Sequence, residues 1–141
     1  MAKVNFYLLK QTSDQACKLL ACRLAEQQSR QNQHVYIRLA NAAQAEEMDR
    51  LLWSFSPESF VPHALTSATD ARGVTLLLGW DAKPPEVSTC LLNLSGEAAS
   101  IQGNISSVAE FVPNDQEAKA HSRVLWNTYK SQGHELNHHQ L

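Results

Sequence analysis

Two short apolar segments, Val74-Thr75-Leu76-Leu77-Leu78 and Cys90-Leu91-Leu92-Asn93-Leu94, say most about how this chain folds. Neither has the alternation of polar and apolar residues expected of a strand with one wet face. Continuous runs of this kind are typical of strands buried on both faces of a parallel sheet. They predict an α/β protein in which helices cover both faces of a mostly parallel sheet.

Before these runs, the chain repeats a strand pattern followed by a helix pattern. Residues 4–9 and 34–39 are strand-formers, and apolar residues at helical spacing follow each of them. The cluster Thr12-Ser13-Asp14 and Asn41 stand where the two helices should begin. Residues 64–73 have the composition of a polar turn.

After the second run, the pattern predicts a last strand at 108–112 and a last helix. Asn114 and Glu117 have the spacing of a capping box, and Gly133 is placed to end the helix. Residues 134–141 are expected to be a polar, frayed tail. For the histidines in this tail, solvation is therefore favoured over a metal site.

Length and composition limit the possible classes of function. At 141 residues the chain is expected to form a single domain, residues 1–141. The formal net charge of −2 argues against a protein that coats duplex DNA, which needs a clustered excess of Lys and Arg. No window approaches the ~18 apolar residues that span a bilayer, so we expect no membrane contact. The odd number of cysteines, without CxxC spacing, favours a reducing cytoplasm.

Motifs for catalysis and nucleotide binding are missing from the sequence. The loop Lys10-Gln11-Thr12-Ser13-Asp14 has no glycine and cannot form the usual phosphate-binding turn. Cys17, Cys22 and Cys90 lack metal-ligand spacing and stand in apolar patterns, where a thiol behaves as a small hydrophobe. We predict no catalytic, cofactor-binding or metal-binding residues.

The last predicted helix carries cations and an indole on one stripe. Lys119, Arg123, Trp126 and Lys130 follow helical spacing. An exposed indole beside Arg and Lys suits a peptide that has both carboxylates and an apolar anchor. Stacking of a nucleobase is the competing use, and an ordinary solvated helix face is the third interpretation.

An aromatic segment follows the second predicted helix. Trp53, Phe55 and Phe60 stand beside two prolines, which stiffen the chain into a loop. Such aromatics either fill the core or dock a partner. We expect Trp53 and Phe60 at an interface and Phe55 packed inward. His63 is predicted to be a loop histidine bonded to backbone.

Motifs along nearly the whole chain are similar to those of one known family. In order, they are Phe6-Tyr7-Leu8-Leu9, Leu52-Trp53, Ser59-Phe60-Val61-Pro62-His63, Phe111-Val112-Pro113, Arg123, Tyr129-Lys130, Gly133 and Leu136-Asn137. With these motifs the chain resembles the chi subunit of bacterial DNA polymerase III, an accessory protein of the clamp-loader assembly. Residues 95–107 match poorly.

The resemblance implies a nucleotide-binding-like α/β fold that has lost its nucleotide site. It also implies that Trp53 and Phe60 belong to the surface that binds the psi subunit, which links chi to the clamp loader. In the family, the same surface serves a repair helicase as an alternative partner.

A second surface is implied for the acidic, phenylalanine-ended C-terminal tail of single-stranded DNA-binding protein. The chain departs from the family at two neighbouring positions, with Trp126 where tyrosine is usual and Asn127 where lysine is frequent. The tail-binding residues carried over are Val112, Lys119, Arg123 and Trp126.

The function implied is that of a non-catalytic replication adaptor in the bacterial cytoplasm, at the nucleoid-associated replisome. It would bridge the clamp loader, through psi, to single-stranded DNA-binding protein, so its contact with DNA would be indirect. Two alternatives remain open from the sequence. One is direct binding of single-stranded nucleic acid, and the other is an atypical nucleotide-binding enzyme.

Overall fold

A seven-stranded sheet forms the centre of the computed structural model, which describes residues 2–56, 62–67 and 74–141. In chain order, the elements are β1 (Lys3–Leu8), α1 (Asp14–Arg30), β2 (Val35–Leu39), α2 (Ala42–Ser54), β3 (His63–Leu65), β4 (Leu76–Gly79), β5 (Cys90–Leu94), β6 (Ser107–Val112), α3 (Gln116–Ser131) and β7 (Glu135–Gln140). The strand order is β3-β4-β2-β5-β6-β1-β7, and each neighbouring pair is parallel. The protein is a single α/β domain, as the sequence pattern predicts.

The two faces of the sheet have separate cores. On one face, which we call the α1/α2 face, Cys22 of α1 and Met48 of α2 pack on Ile37 and Leu92. On the opposite face, the α3 face, Leu125 and Tyr129 join a second cluster of buried side chains. Helices therefore cover both faces, as predicted.

The strands that contain the continuous apolar runs are covered on both faces of the sheet, as the sequence pattern predicts. All five residues of β2 and all four of β4 are buried, as are the first four of β5. These three strands lie inside the sheet, and both of their faces are covered. Side chains on either side of each strand are therefore removed from water.

The helices begin at short polar side chains. The Ser13 hydroxyl accepts a hydrogen bond from the Ala16 amide at 3.3 Å, and Asn41 Oδ1 accepts one from the Gln44 amide at 2.9 Å. The predicted capping box of α3 is wrong by one residue. Asp115 is the N-cap and accepts a hydrogen bond from the Ala118 amide at 3.0 Å, so Glu117 stands one position too early for a box.

Asn114 has a different task. Its amide nitrogen Nδ2 donates to the Lys10 carbonyl at 3.3 Å, and its backbone N–H donates to the Gln11 carbonyl at 2.8 Å. These bonds tie the loop after β6 to the loop after β1.

The predicted frayed tail at 134–141 is wrong. Gly133 turns the chain in the left-handed region (φ +84°), and residues 135–140 then pair with β1 as the edge strand β7. Leu136 packs into the core of the α3 face, whereas the other strand residues are exposed. Backbone pairing with β1 holds β7 in place, so its side chains carry little of the apolar signal used to recognise strands.

The predicted polar turn at 64–73 is wrong at its start. His63–Leu65 form β3, which pairs with β4 and has a buried first residue. Residues 68–73 of that segment lie outside the described residues. A strand of three residues is too short to show a periodic pattern.

Candidate protein-docking sites

A groove of about 530 Å³ runs between α3 and the carboxyl ends of β1 and β7. Its floor is apolar because Phe6 and Val112 point toward α3 and are both buried. The complete lining is Phe6, Leu8, Leu9, Lys10, Val112, Asn114, Lys119, Ser122, Arg123, Trp126, His138 and Gln140. We call this surface the basic groove.

All four residues that the resemblance assigns to one peptide site line this groove. Lys119, Arg123 and Trp126 come from one stripe of α3, and Val112 comes from the end of β6. The helical spacing predicted the stripe. Helical spacing cannot place Val112 beside the stripe, whereas the packing of α3 across the sheet does so.

The groove is electropositive. Lys10, Lys119 and Arg123 line it, and no carboxylate is among the described residues of the lining. None of the three cations forms an ion pair with any residue the structure describes. Their charges are therefore available to a bound anion.

Trp126 is less exposed than the helical stripe suggested. Its ring lies 5.3 Å from that of Phe6 and 6.2 Å from that of His138, measured between centroids, and the side chain is half-buried. The indole thus forms part of the wall of the groove and presents one side to its interior. Lys130, on the same predicted stripe, does not line the groove.

Sequence reasoning missed Lys10 and His138 as lining residues. Lys10 follows β1 directly, so its place at a carboxyl end of the sheet could have been noticed. His138 could not be placed, because residues 134–141 were expected to be frayed. The edge strand β7 supplies one wall of the groove that the motifs on α3 do not reveal.

A second candidate surface lies at the end of α2. Trp53 is 51% exposed, and its ring centroid is 4.5 Å from that of His63 at the start of β3. Phe55 is partly buried against the core of the α1/α2 face, which agrees with the expectation that it packs inward. Phe60 lies outside the described residues. We call the area around Trp53 and His63 the Trp53 surface.

The prediction that His63 lies in a loop is wrong, because it is the first residue of β3. Its side chain is fully buried, and Nε2 lies 3.0 Å from Asp49 Oδ1 on α2. The imidazole therefore joins β3 to α2 through a carboxylate and supports the indole of Trp53. A single Pro-His step in the sequence could not reveal this partner.

The two surfaces lie at opposite edges of the sheet. The Trp53 surface adjoins β3, whereas the basic groove adjoins β7, and the strand order puts six strand spacings between those edges. At about 4.8 Å per spacing, the separation is roughly 30 Å. Two partners could therefore occupy the molecule at once.

The cysteines are placed as small hydrophobes. Cys17, Cys22 and Cys90 are buried. Burial is the main cause that raises the pKa of Cys17 to about 11, and it raises that of Cys22 to about 12. Such thiols are poor nucleophiles at neutral pH because the thiolate is the reactive form.

Two further searches cover only the described part of the chain. Within it, no three side chains of the His, Cys, Asp and Glu types are grouped as metal ligands. No helix in the same ranges has the length and apolarity to cross a bilayer.

Comparison with known proteins agrees with the motifs. The family model described as "DNA polymerase III chi subunit, HolC" matches residues 1–137. The DNA polymerase III subunit chi of Pseudomonas aeruginosa is 37% identical over 141 residues, covering 100% of this chain and 98% of that protein. The subunit chi of Haemophilus influenzae is 30% identical, with 96% of both chains covered, and that of Escherichia coli is 28% identical, with 97% of both covered. The chain therefore belongs to the family of DNA polymerase III chi subunits, which are accessory subunits of the replicative polymerase.

Proposed function

We propose that the protein is a non-catalytic adaptor that joins the clamp loader, through psi, to the acidic tail of single-stranded DNA-binding protein. The observation that carries the proposal is the basic groove, which combines three cations, an apolar floor and no carboxylate among its described lining residues. An acidic peptide that ends in phenylalanine has the complementary chemistry.

The groove offers a separate position for each part of such a peptide. Arg123 can pair a carboxylate through two parallel N–H donors, and Lys119 adds a second charge one helical turn away. The terminal ring can lie in the groove against Trp126 and Val112. Lys10 lines the same groove and can take a further carboxylate.

The Trp53 surface is the proposed contact with psi. Exposed indoles supply large apolar contact areas and are common anchors at protein interfaces. Trp53 has the required exposure, and the contact of the buried His63 with Asp49 fixes the histidine beside it. Phe60 is proposed as the second anchor from the family resemblance alone. A repair helicase is the alternative partner for this surface.

Simultaneous binding is the mechanism we propose. With roughly 30 Å between the two edges of the sheet, psi and the tail need not compete. Each tail contact can be weak, because many tails are displayed on coated DNA and raise the local concentration of binding sites. The adaptor then acts in the replisome of the cytoplasm by tethering and needs no chemistry of its own.

A titration with a tail peptide tests the proposal. A fluorescent acidic peptide with a C-terminal phenylalanine should bind with a Kd in the range of about 1–10 μM. Arg123→Ala should weaken binding about tenfold or more, because it removes a charge-assisted contact. Arg30→Ala is the matched control, since Arg30 pairs with Glu26 on α1 and lies outside the groove.

Unchanged affinity in the Arg123→Ala protein would remove the groove from the proposal. The same titration separates the competing interpretation of the groove as a nucleic-acid site. A single-stranded oligonucleotide should not displace the peptide at moderate salt. If the oligonucleotide displaces the peptide from the natural chain but not from the Arg123→Ala protein, the groove binds single strands directly.

A further inference from the structure

The strands β1 and β6 are neighbours, yet their connections leave the sheet on opposite faces. β1 leads to α1 on the α1/α2 face, and β6 leads to α3 on the other face. In parallel α/β sheets such a point opens a crevice outside the carboxyl ends of the strands, where ligands commonly bind. A cavity of about 240 Å³ lies here, between the N-terminal turns of α1 and α3.

The floor of the cavity contains a buried carboxyl group. Glu110 is only 5% exposed, and both hydrogen bonds that it accepts fall on Oε2, from Tyr129 Oη at 2.5 Å and Asn93 Nδ2 at 2.7 Å. Oε1 accepts no hydrogen bond from any of the residues that the structure describes. Glu110 lines the cavity, and Oε1 is the oxygen that these two bonds leave available to a donor that enters it.

The neighbouring polar groups are already occupied. Asn93 Oδ1 accepts from the hydroxyl of Ser95 at 2.7 Å, and the His121 ring bonds the Gly96 carbonyl at 2.7 Å. Lys18 lines the cavity, but its ammonium group donates to Glu47 at 2.8 Å. Glu110 Oε1 is thus the acceptor at the floor that these bonds leave open.

The size of the cavity and its walls define the class of ligand. Its volume of about 240 Å³ lies below the roughly 300–1,000 Å³ of ordinary ligand pockets, which favours a ligand smaller than a nucleotide. Asp14 lines the rim and adds negative charge. Apolar side chains form part of the walls and suit a compact organic body: Leu39, Leu94, Phe111, Pro113 and Leu125.

We propose that this cavity binds a compact organic cation, an amidine or guanidine on a small apolar body, whose N–H donates to Glu110 Oε1. Asp14 at the rim favours the positive charge, and the apolar walls hold the body of the molecule. The basic groove has the opposite charge preference. The two sites share Phe6, Val112 and Ser122, but Glu110 and Asp14 line only the cavity.

Benzamidine is a suitable probe because it joins an amidine to a small ring. In an NMR titration of the ¹⁵N-labelled full chain, it should bind with a Kd of about 1 mM or tighter, which suits a ligand of its size. The shifted amides should include Asn93 and His121. Benzoate has the same ring but a negative charge, and it should bind at least about tenfold more weakly.

At about pH 8.5, where the Glu110 carboxyl is ionised, Glu110→Gln should weaken the binding of benzamidine about tenfold or more, because the charged acceptor is lost. Ala118→Leu should block the probe by filling the cavity from α3, and it leaves Glu110 intact. Glu117→Gln is the control, since Glu117 is an exposed glutamate of α3 outside the cavity. Arg123→Ala should leave probe binding unchanged, so this test is independent of the tail site.

Three results would overturn the proposal. The first is the absence of saturable shifts with benzamidine. The second is equal binding of benzoate, or shifts that cluster at Arg123 and Trp126 instead of Asn93 and His121. The third is unchanged affinity in the Glu110→Gln protein or, if that variant does not fold, in the Ala118→Leu protein.

Discussion

Glu110 links the stability of the protein to pH. Burial raises the pKa of its carboxyl from the ordinary 4.5 to about 7, although hydrogen bonds from Tyr129 and Asn93 and the charge of Arg38 oppose that rise. The folded state therefore binds a proton more tightly than the unfolded chain. The resulting stabilisation is fully present below about pH 4.5 and is lost as the pH rises through about 7.

Replacement of this carboxyl should remove that dependence. We expect the free energy of unfolding of the natural chain to fall by roughly 1–3 kcal/mol from this group between pH 4.5 and pH 7.5. In Glu110→Gln the fall should be smaller by that amount. Urea unfolding at a series of pH values measures the difference, with Glu117→Gln as the control. Parallel profiles for the natural chain and Glu110→Gln would contradict the prediction.

At the scale of elements, the turn from α3 into β7 is the junction on which the groove depends. Gly133 has a φ of +84°, and the Gln132 and Gly133 amides bond back to the last carbonyls of α3. An added Cβ at Gly133 would meet nothing within 4 Å, so a substitution there changes backbone strain alone. The turn delivers β7 to the edge of β1, where His138 joins the wall of the groove.

Gly133→Ala should therefore destabilise the protein by about 1 kcal/mol, the usual cost of a non-glycine residue in the left-handed region. The midpoint of urea unfolding measures this cost. Gln132→Ala is the matched control, because its φ of −86° suits any residue, and it should change stability little. An unaltered midpoint in Gly133→Ala would mean that the turn has another conformation.

For the whole molecule, the position of the two surfaces at opposite edges predicts independent binding. Trp53 lies beside β3, whereas Arg123 lies beside β1 and β7. The sheet between them is covered on both faces and behaves as a rigid spacer. Substitutions more than about 10 Å apart without shared partners usually act additively.

Trp53→Ala should weaken binding of psi about tenfold or more and leave the affinity for the tail peptide within about twofold. The double variant, Trp53→Ala with Arg123→Ala, should bind both psi and the tail peptide weakly. The coupling energy between the two substitutions should be below about 0.5 kcal/mol. Calorimetric titrations complete a double-mutant cycle with the natural chain, both single variants and the double variant. Circular dichroism verifies that each protein is folded. A tail affinity that changes when psi is bound to the natural chain would show coupling between the surfaces.

Much of the fold could be predicted because local signals and tertiary structure agree. The apolar runs at β4 and β5, the caps Ser13 and Asn41, and the end of α3 at Gly133 were all predicted from the sequence. The stripe of Lys119, Arg123 and Trp126 followed from helical spacing alone. Each of these features depends on residues that are close in the sequence, within a few turns of one helix or along one strand.

The remaining features depend on partners that are distant in the sequence. β7 is a strand because β1 offers it backbone partners, and the bond from Asn114 to the Lys10 carbonyl spans more than a hundred residues. His63 meets Asp49 only once β3 lies beside β4 and α2 covers them. Polar side chains on such elements carry no periodic apolar signal, so local patterns cannot reveal them.

The sequence by itself determined the α/β class, the buried parallel strands, the family and the side chains on one stripe of α3. The family resemblance grouped Val112 with this stripe, but only the tertiary structure decided that Lys10 and His138 join them in one groove. It also decided that the Trp53 surface lies at the far edge of the sheet. It also decided that Glu110 forms the floor of a cavity where β1 and β6 part. The physical reason is that composition and spacing specify which faces become buried, whereas the order of strands in the sheet specifies which residues from distant segments meet.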